Sequence, residues 1–366
     1  MKRERFIVII ILALAAACSK STGPEPVCPA DALEPGIIVF VSDRETSPLR
    51  QLFVMPSDSG DAIRITHDAN DYRCPSFSPD GDRILFHSQT SDQSGEIYAV
   101  NADGSDLVNL SNAPGDDGFP SYSPDGSRIV FTSSRDGNRE IYIMDAGGGN
   151  QTRLTFDDGI DGSPQFTGGG ARILYYSFDP NSREYGIWIM DTDGGNKTCL
   201  TGNELYFQNQ AFVSTDAFGA YDARPGLSPD GSRIVFMSYD SEAFNYSIFM
   251  MDLDGQHQRL LTDAAGYNLA PVFTPDGQKS LFRSHRGGNY DLYQMDLEGE
   301  GQTNLTRGPG HAYFSQFVQD GSKILFFTDR HTYFKIWLMN RDGSGQIQLT
   351  FGDYHDYEPC YRPLER

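Results

Sequence analysis

Tyr72, Asp117, Asp161, Asp222, Asn268, Ala312 and Asp356 each stand three residues ahead of a recurring Pro- or Ser-led motif, so four of seven copies carry Asp at one place. A ring of carboxylates at a channel mouth could hold a hard divalent cation such as Ca or Mn, or a basic peptide side chain. The alternative is that each Asp caps its own loop by accepting backbone N–H bonds. One residue earlier the copies read Asp71, Asp116, Ile160, Tyr221, Tyr267, His311 and His355. His311 and His355, with Asp356 and Asp71, are acceptable first-row metal ligands by type. No HxH or HExxH spacing supports them, and surface histidines are the default reading. Nucleophile-elbow, phosphate-loop and dinucleotide motifs are absent, and the DxDG strings near Asp191 and Asp252 lack the distal Glu of a calcium loop. No catalytic residue is assigned, and no cofactor is expected beyond that candidate cation.

Those residues must be positioned by the repeat itself. The copies begin at Pro75 (PSFSPDG), Pro120 (PSYSPDG), Pro164 (PQFTGGG), Pro225 (PGLSPDG), Pro271 (PVFTPDG) and Ser315 (SQFVQDG), and a last one at Pro359 (PCYRP) breaks off. Each holds four short runs of β-type composition joined by Ser-Pro-Asp-Gly and Asp-Gly turns, the pattern of a four-stranded propeller blade. Gly81, Gly126, Gly170, Gly231, Gly277 and Gly321 are spaced 45, 44, 61, 46 and 44 residues apart, near the period of such blades. Residues 37 to 66 supply the remaining runs without a leading motif. The expected fold is therefore an all-β, seven-bladed β-propeller of four-stranded blades over 36–366, closed by the C-terminal strand pairing with the first blade.

The linkers that join one blade to the next are eight residues long in six blades, whereas residues 202 to 224 make 23. This insertion carries Tyr206, Phe207, Phe212, Phe218 and Tyr221, a candidate recognition element or lid on the loop face; the alternative is a plug folded over the channel. The expected binding face thus comprises these aromatics with Asp71, Asp117, Asp161, Asp222, Asn268 and Asp356.

The chain opens with MKRER and an apolar run ending Leu14-Ala15-Ala16-Ala17-Cys18, a secretory signal over 1–17. The string before Cys18 resembles a bacterial lipobox, which implies acylation of Cys18, with 18–35 as a flexible tether, and Ser19 resembles outer-membrane sorting. The expected location is an exported outer-membrane lipoprotein facing the periplasm or the cell surface, touching membrane through its lipid alone. Formal net charge is −21; Lys2, Arg3 and Arg5 against Glu4 leave −23 beyond residue 17. That balance excludes nucleic-acid binding and suits a soluble envelope domain. Cys28, Cys74, Cys199 and Cys360 remain, and a Cys28–Cys360 bridge could lock the closure; Cys74–Cys360 is the rival pairing, and four free thiols the third case.

The repeated SPDG, IYxMD, DG and LT elements resemble the TolB-type, WD-like β-propeller repeat found in many bacterial envelope proteins. The resemblance covers about residues 36 to 363. It implies a non-enzymatic binding or scaffold propeller, expected as a monomer, that recognises an envelope protein, peptide or glycan through its loop face. The alternative is an enzyme: similar seven-bladed propellers resemble oligogalacturonate lyases, which implies a metal-dependent polysaccharide lyase acting on the channel face. Against TolB itself, the repeat pattern leads one to expect seven blades in place of the family's six and no counterpart of its N-terminal α/β domain.

Overall fold

The computed structural model describes residues 36–45, 49–57, 61–89, 94–179, 181, 184–201, 225–240, 245–262, 266–318 and 321–363. Its described residues form seven four-stranded antiparallel sheets. We number them blades 1 to 7 in chain order. The inner strand of blade 1 is Asp356–Pro363, which pairs with Gly36–Ser42, followed by Gln51–Pro56 and Ile63–Arg64. The inner strands of blades 2 to 7 are Asp71–Phe77, Asp117–Tyr122, Ile160–Phe166, Gly226–Leu227, Asn268–Phe273 and Ala312–Val318.

The repeat motifs explain the local geometry. In the Ser78-Pro79-Asp80-Gly81 turn, the Gly81 N–H donates to Ser78 O at 2.7 Å and Gly81 takes φ +68°, a conformation that costs glycine little. Asp80 accepts from the Ser78 hydroxyl and from the Asp82 N–H, which depresses its own pKa through the Ser78 bond first. The closing hydroxyl of each Leu-Thr, Leu-Ser or Ile-Thr pair accepts an N–H from the third strand of its own blade. The seven acceptors are Thr66, Ser111, Thr155, Thr201, Thr262, Thr306 and Thr350. A two-residue outer strand is thereby tied to the blade at its end.

The core is divided into seven clusters, each shared by two neighbouring blades. One of them places Ile38, Phe40, Phe53 and Met55 of blade 1 against Leu325, Ile336 and Leu338 of blade 7, so the ring is closed by apolar burial as well as by strand pairing. Arg362 adds a clasp, donating to Gly81 O at 2.6 Å and to Asp80 O at 3.0 Å across the seam to blade 2. Because no blade buries both faces alone, removing residues 356–366 is expected to expose the Gly36–Ser42 edge. The thermal midpoint should fall by roughly 10 °C or more, read by circular dichroism; an unchanged, cooperative melt would show that the seam is dispensable.

Candidate functional site

The inner strands of all seven blades surround a tunnel of about 740 Å³. Ser76, Ser121, Gln165, Gly226, Val272, Gln316 and Cys360, one from each blade, line it. Each stands one residue before an apolar side chain of the blade, such as Phe77, Phe166 or Phe273, so the two-residue alternation of a strand sends it inward.

Upstream of the motif proline that alternation breaks. Cys74, Phe119, Ser163, Ala270 and Glu358, each directly before a proline, have φ of +63°, +52°, +47°, +50° and +51°. Register shifts mark a bulge there in six of the seven inner strands. A left-handed non-glycine residue costs on the order of 1 kcal/mol, and bulges commonly re-aim side chains beside functional sites. Four of these five residues, Cys74, Phe119, Ala270 and Glu358, line the tunnel.

Two charged side chains face the same space. Glu358 Oε2 accepts the Cys74 N–H at 2.7 Å, Oε1 has no partner, and desolvation pushes the carboxyl up to about 7 against the pull of Arg50. The Arg283 guanidinium lies over the rings of Tyr290 and Tyr313 at 4.6 and 4.4 Å, a cation–π arrangement. Behind the wall, His87 Nε2 is 3.9 Å from Cys74 Sγ, and burial pushes the imidazole down to about 4. Burial likewise raises the Cys360 thiol to about 11. Cys74, Cys199 and Cys360 are free thiols, so the Cys74–Cys360 pairing is not formed; Cys28 and Cys18 lie outside the described residues.

The carboxylates expected as a ring at the channel mouth stand at the mouth-side ends of the inner strands but are buried within their blades. Asp117, Asp161, Asn268 and Asp356 are wholly buried, Ala312 and Tyr72 nearly or fully so, each at or next to the start of an inner strand. Asp117 holds Arg135 at 2.8 Å, Asn268 holds Arg286 at 3.0 Å, and Asp356 holds Arg44 at 2.7 Å and Lys335 at 3.2 Å. Through Arg135, Arg286 and Arg44 they anchor the connection between the second and third strands of their own blade, while Lys335 ties Asp356 to blade 7, and the bulge is why counting back from the proline misplaces them. Asp222 and the aromatics Tyr206, Phe207, Phe212, Phe218 and Tyr221 lie outside the described residues.

The ring one residue earlier stitches blade to blade. Asp71 accepts the Arg50 N–H at 2.7 Å and pairs with its guanidinium at 2.6 Å, and Asp116 accepts the Gly95 N–H at 3.3 Å. His311 Nδ1 accepts the Tyr290 N–H at 3.1 Å and His355 Nδ1 accepts the Phe334 N–H at 3.2 Å. In every case the donor belongs to the preceding blade. The two histidines are therefore clasps with one ring nitrogen spent on backbone, and they do not join Asp71 and Asp356 in a metal centre. Among the described residues no group of three or more His, Cys, Asp or Glu side chains is placed to hold a metal ion. Sequence reasoning missed Glu358, Cys74, Phe119 and Arg283 as tunnel residues. The alternation outward from Phe77 and its equivalents would have found the lower wall, while nothing in the residue types before proline marks the left-handed turn.

Comparison with known proteins gives a consistent picture. A family profile described as TolB beta propeller domain matches residues 72–218 and 182–366. The Tol-Pal system protein TolB of Gluconobacter oxydans is 30% identical over 100 residues, 27% of this chain and 18% of that protein. The Roseobacter denitrificans protein of the same name is 39% identical over 59 residues, 16% and 13% of the two chains. The matches thus span less than a fifth of these relatives. Among solved structures, TolB from Acinetobacter baumannii superposes with a TM-score of 0.51 at 21% identity, covering 90% of this chain and 67% of that one. An oligogalacturonate lyase in complex with manganese gives 0.63 at 15% identity, covering 83% and 85%. Both likenesses are of fold.

Proposed function

The chain belongs to the TolB β-propeller domain family, and from that premise we propose that it is a binding or scaffold propeller of the bacterial cell envelope that recognises a protein, peptide or glycan at the tunnel and its mouth. The observation that carries this reading is the tunnel wall itself. Five described inner strands adopt the same left-handed bulge ahead of proline, and the tunnel so built mixes aromatic rings with one acidic and one basic side chain. Concave, mainly apolar surface with a few fixed polar groups is the usual character of a recognition site, and strain repeated at one place points to function more than to packing.

In the same reading, export removes residues 1–17, Cys18 carries the lipid, and the tether leads to a propeller held at the outer membrane as a monomer. The relatives are named as Tol-Pal system proteins, which makes an envelope protein the first partner class to test. Tyr267, exposed in the linker between blades 5 and 6, lies on the mouth side. Asp103, in the Asp-Gly turn of blade 2, lies on the opposite side. A photo-reactive residue at 267 is expected to give a discrete cross-linked adduct in intact cells, and one at 103 none. Equal adducts from both positions, or none from 267, would count against recognition at this face.

A further inference from the structure

Four blades repeat one internal device. A Ser or Thr stands at the end of the second strand, or three residues short of it in blade 7, and an Arg follows two residues later: Ser42 and Arg44, Ser133 and Arg135, Ser284 and Arg286, Thr328 and Arg330. The guanidinium lies over an aromatic pair formed across the second and third strands. The pairs are Phe40 and Phe53, Phe131 and Tyr142, Phe282 and Tyr293, and Phe326 and Trp337, with separations of 4.6 to 5.7 Å. In blades 1, 3 and 6 it also bonds the Asp or Asn that faces the same Ser in the strand register. Blade 2 fills the place with a ring instead, Tyr72 standing edge-on to Phe86 at 4.8 Å and to Tyr98 at 5.4 Å.

Blade 4 has every part of this device except the cation. Asp161 faces Ser177, and Tyr175 pairs with Trp188 as the floor, but Asp179 stands where blades 1, 3, 6 and 7 have Arg. Asp161 is wholly buried and neither of its oxygens makes a hydrogen bond of good geometry, the Ser177 and Thr155 hydroxyls standing only near enough to lower its pKa. Glu140, also wholly buried, gives one oxygen to Arg153 at 2.7 Å and leaves Oε2 without a partner. Ser42, Ser133 and Ser284 are sealed under their arginines at 0% exposure, whereas Ser177 is partly exposed. The slot is therefore open to solvent on its hydroxyl side, acidic, and floored by aromatic rings.

We propose that this blade 4 slot is a binding site for a guanidinium group of a ligand, an arginine side chain of a partner being the class it fits. A planar guanidinium would meet the Asp161 carboxylate with two N–H donors and stack on Tyr175 and Trp188, as the chain's own arginines do in blades 1, 3 and 6. The site lies on the tunnel-mouth side and stands independently of the partner reading given above. Asp157, Glu140, Ser177 and Thr155 are the groups that bear on Asp161; the two carboxylates raise its pKa, desolvation raises it more, and the hydroxyls lower it.

The test is calorimetric titration of the full propeller with N-acetyl-arginine N-methylamide at pH 8 and low salt, against the neutral citrulline counterpart. The expected result is saturable one-to-one binding that is at least tenfold weaker for the citrulline compound, for Asp161→Asn, and for the wild-type protein at pH 5.5. Binding of the citrulline compound with equal strength, or undiminished binding to Asp161→Asn, overturns the proposal. Arg183 lies in the connection between the paired strands, outside the described residues; if the probe binds only after Arg183→Ala, the slot belongs to the chain's own arginine and the proposal falls.

Discussion

Replacing Arg135 by Ala is expected to lower the stability of the propeller by about 3–5 kcal/mol, among the largest effects of any single substitution in the molecule. One guanidinium there bonds Asp117 at 2.8 Å, Ser133 at 2.7 Å and Gln151 at 2.6 Å while stacking on Phe131 and Tyr142. Gln151 in turn donates to Leu110 O and Ser111 O of blade 2 at 3.0 Å, so the arginine joins two blades through one side chain. Its loss leaves Asp117, wholly buried, without a cation. Desolvation already holds that carboxyl above its ordinary value with Arg135 pulling it down. Adding Asp117→Asn should therefore recover part of the loss, since an amide costs less to bury than an unpaired carboxylate. Denaturant unfolding of the single and double variants measures both terms. If Arg135→Ala costs less than about 1 kcal/mol, the bond network is a surface ornament and the account of blade cohesion is wrong.

The ring of blades was legible because turn chemistry is local. Ser-Pro-Asp-Gly fixes a hairpin wherever it stands, and the incomplete motif at Pro359 points to the seam now seen between Asp356–Pro363 and Gly36–Ser42. The site was less legible because it depends on parity. One extra residue at each bulge reverses which side chains face the tunnel, and the residues that occupy the bulge, Cys74, Phe119, Ser163, Ala270 and Glu358, share no chemical type. The Asp and His positions chosen by counting from proline have real and repeated roles, as anchors within a blade and clasps between blades. Their regularity in the sequence reflects packing. The same regularity, once its purpose is known, makes the exception at Asp161 and Asp179 visible, and that exception is chemical.

Acidification from pH 8 to pH 5 is expected to stabilise this protein, opposite to the usual behaviour of a chain rich in paired carboxylates. Asp161 is raised from an ordinary 3.8 to about 7 and Glu358 from 4.5 to about 7, each chiefly by desolvation. For both, the folded state resists ionisation, so stability is highest at low pH and is lost as pH rises from the unfolded values through about 7. His87 acts the other way: its imidazole is lowered from 6.5 to about 4 by burial, so stability is lost as pH falls through that window. Between about pH 6.5 and 4.5 two carboxyls oppose one imidazole, a net gain on the order of 1.4 kcal/mol for each unit of acidification. Below that range the gain ends, because the unfolded chain then takes up the same two protons. The turn carboxylates Asp125 and Asp230, held near 2 first by the hydroxyls of Ser123 and Ser228, act against further acidification, since the unfolded chain protonates them first. Asp161→Asn separates this account from a general relief of the −21 charge. It removes one carboxyl from the balance, so it should raise stability at pH 8 by roughly 2–4 kcal/mol and leave stability at pH 4 nearly unchanged. Thermal melts of wild type and variant across pH 4 to 8.5 decide the matter. Parallel curves would mean that Asp161 ionises as readily in the folded protein as in the unfolded chain, and hence that its buried oxygens already have a cation.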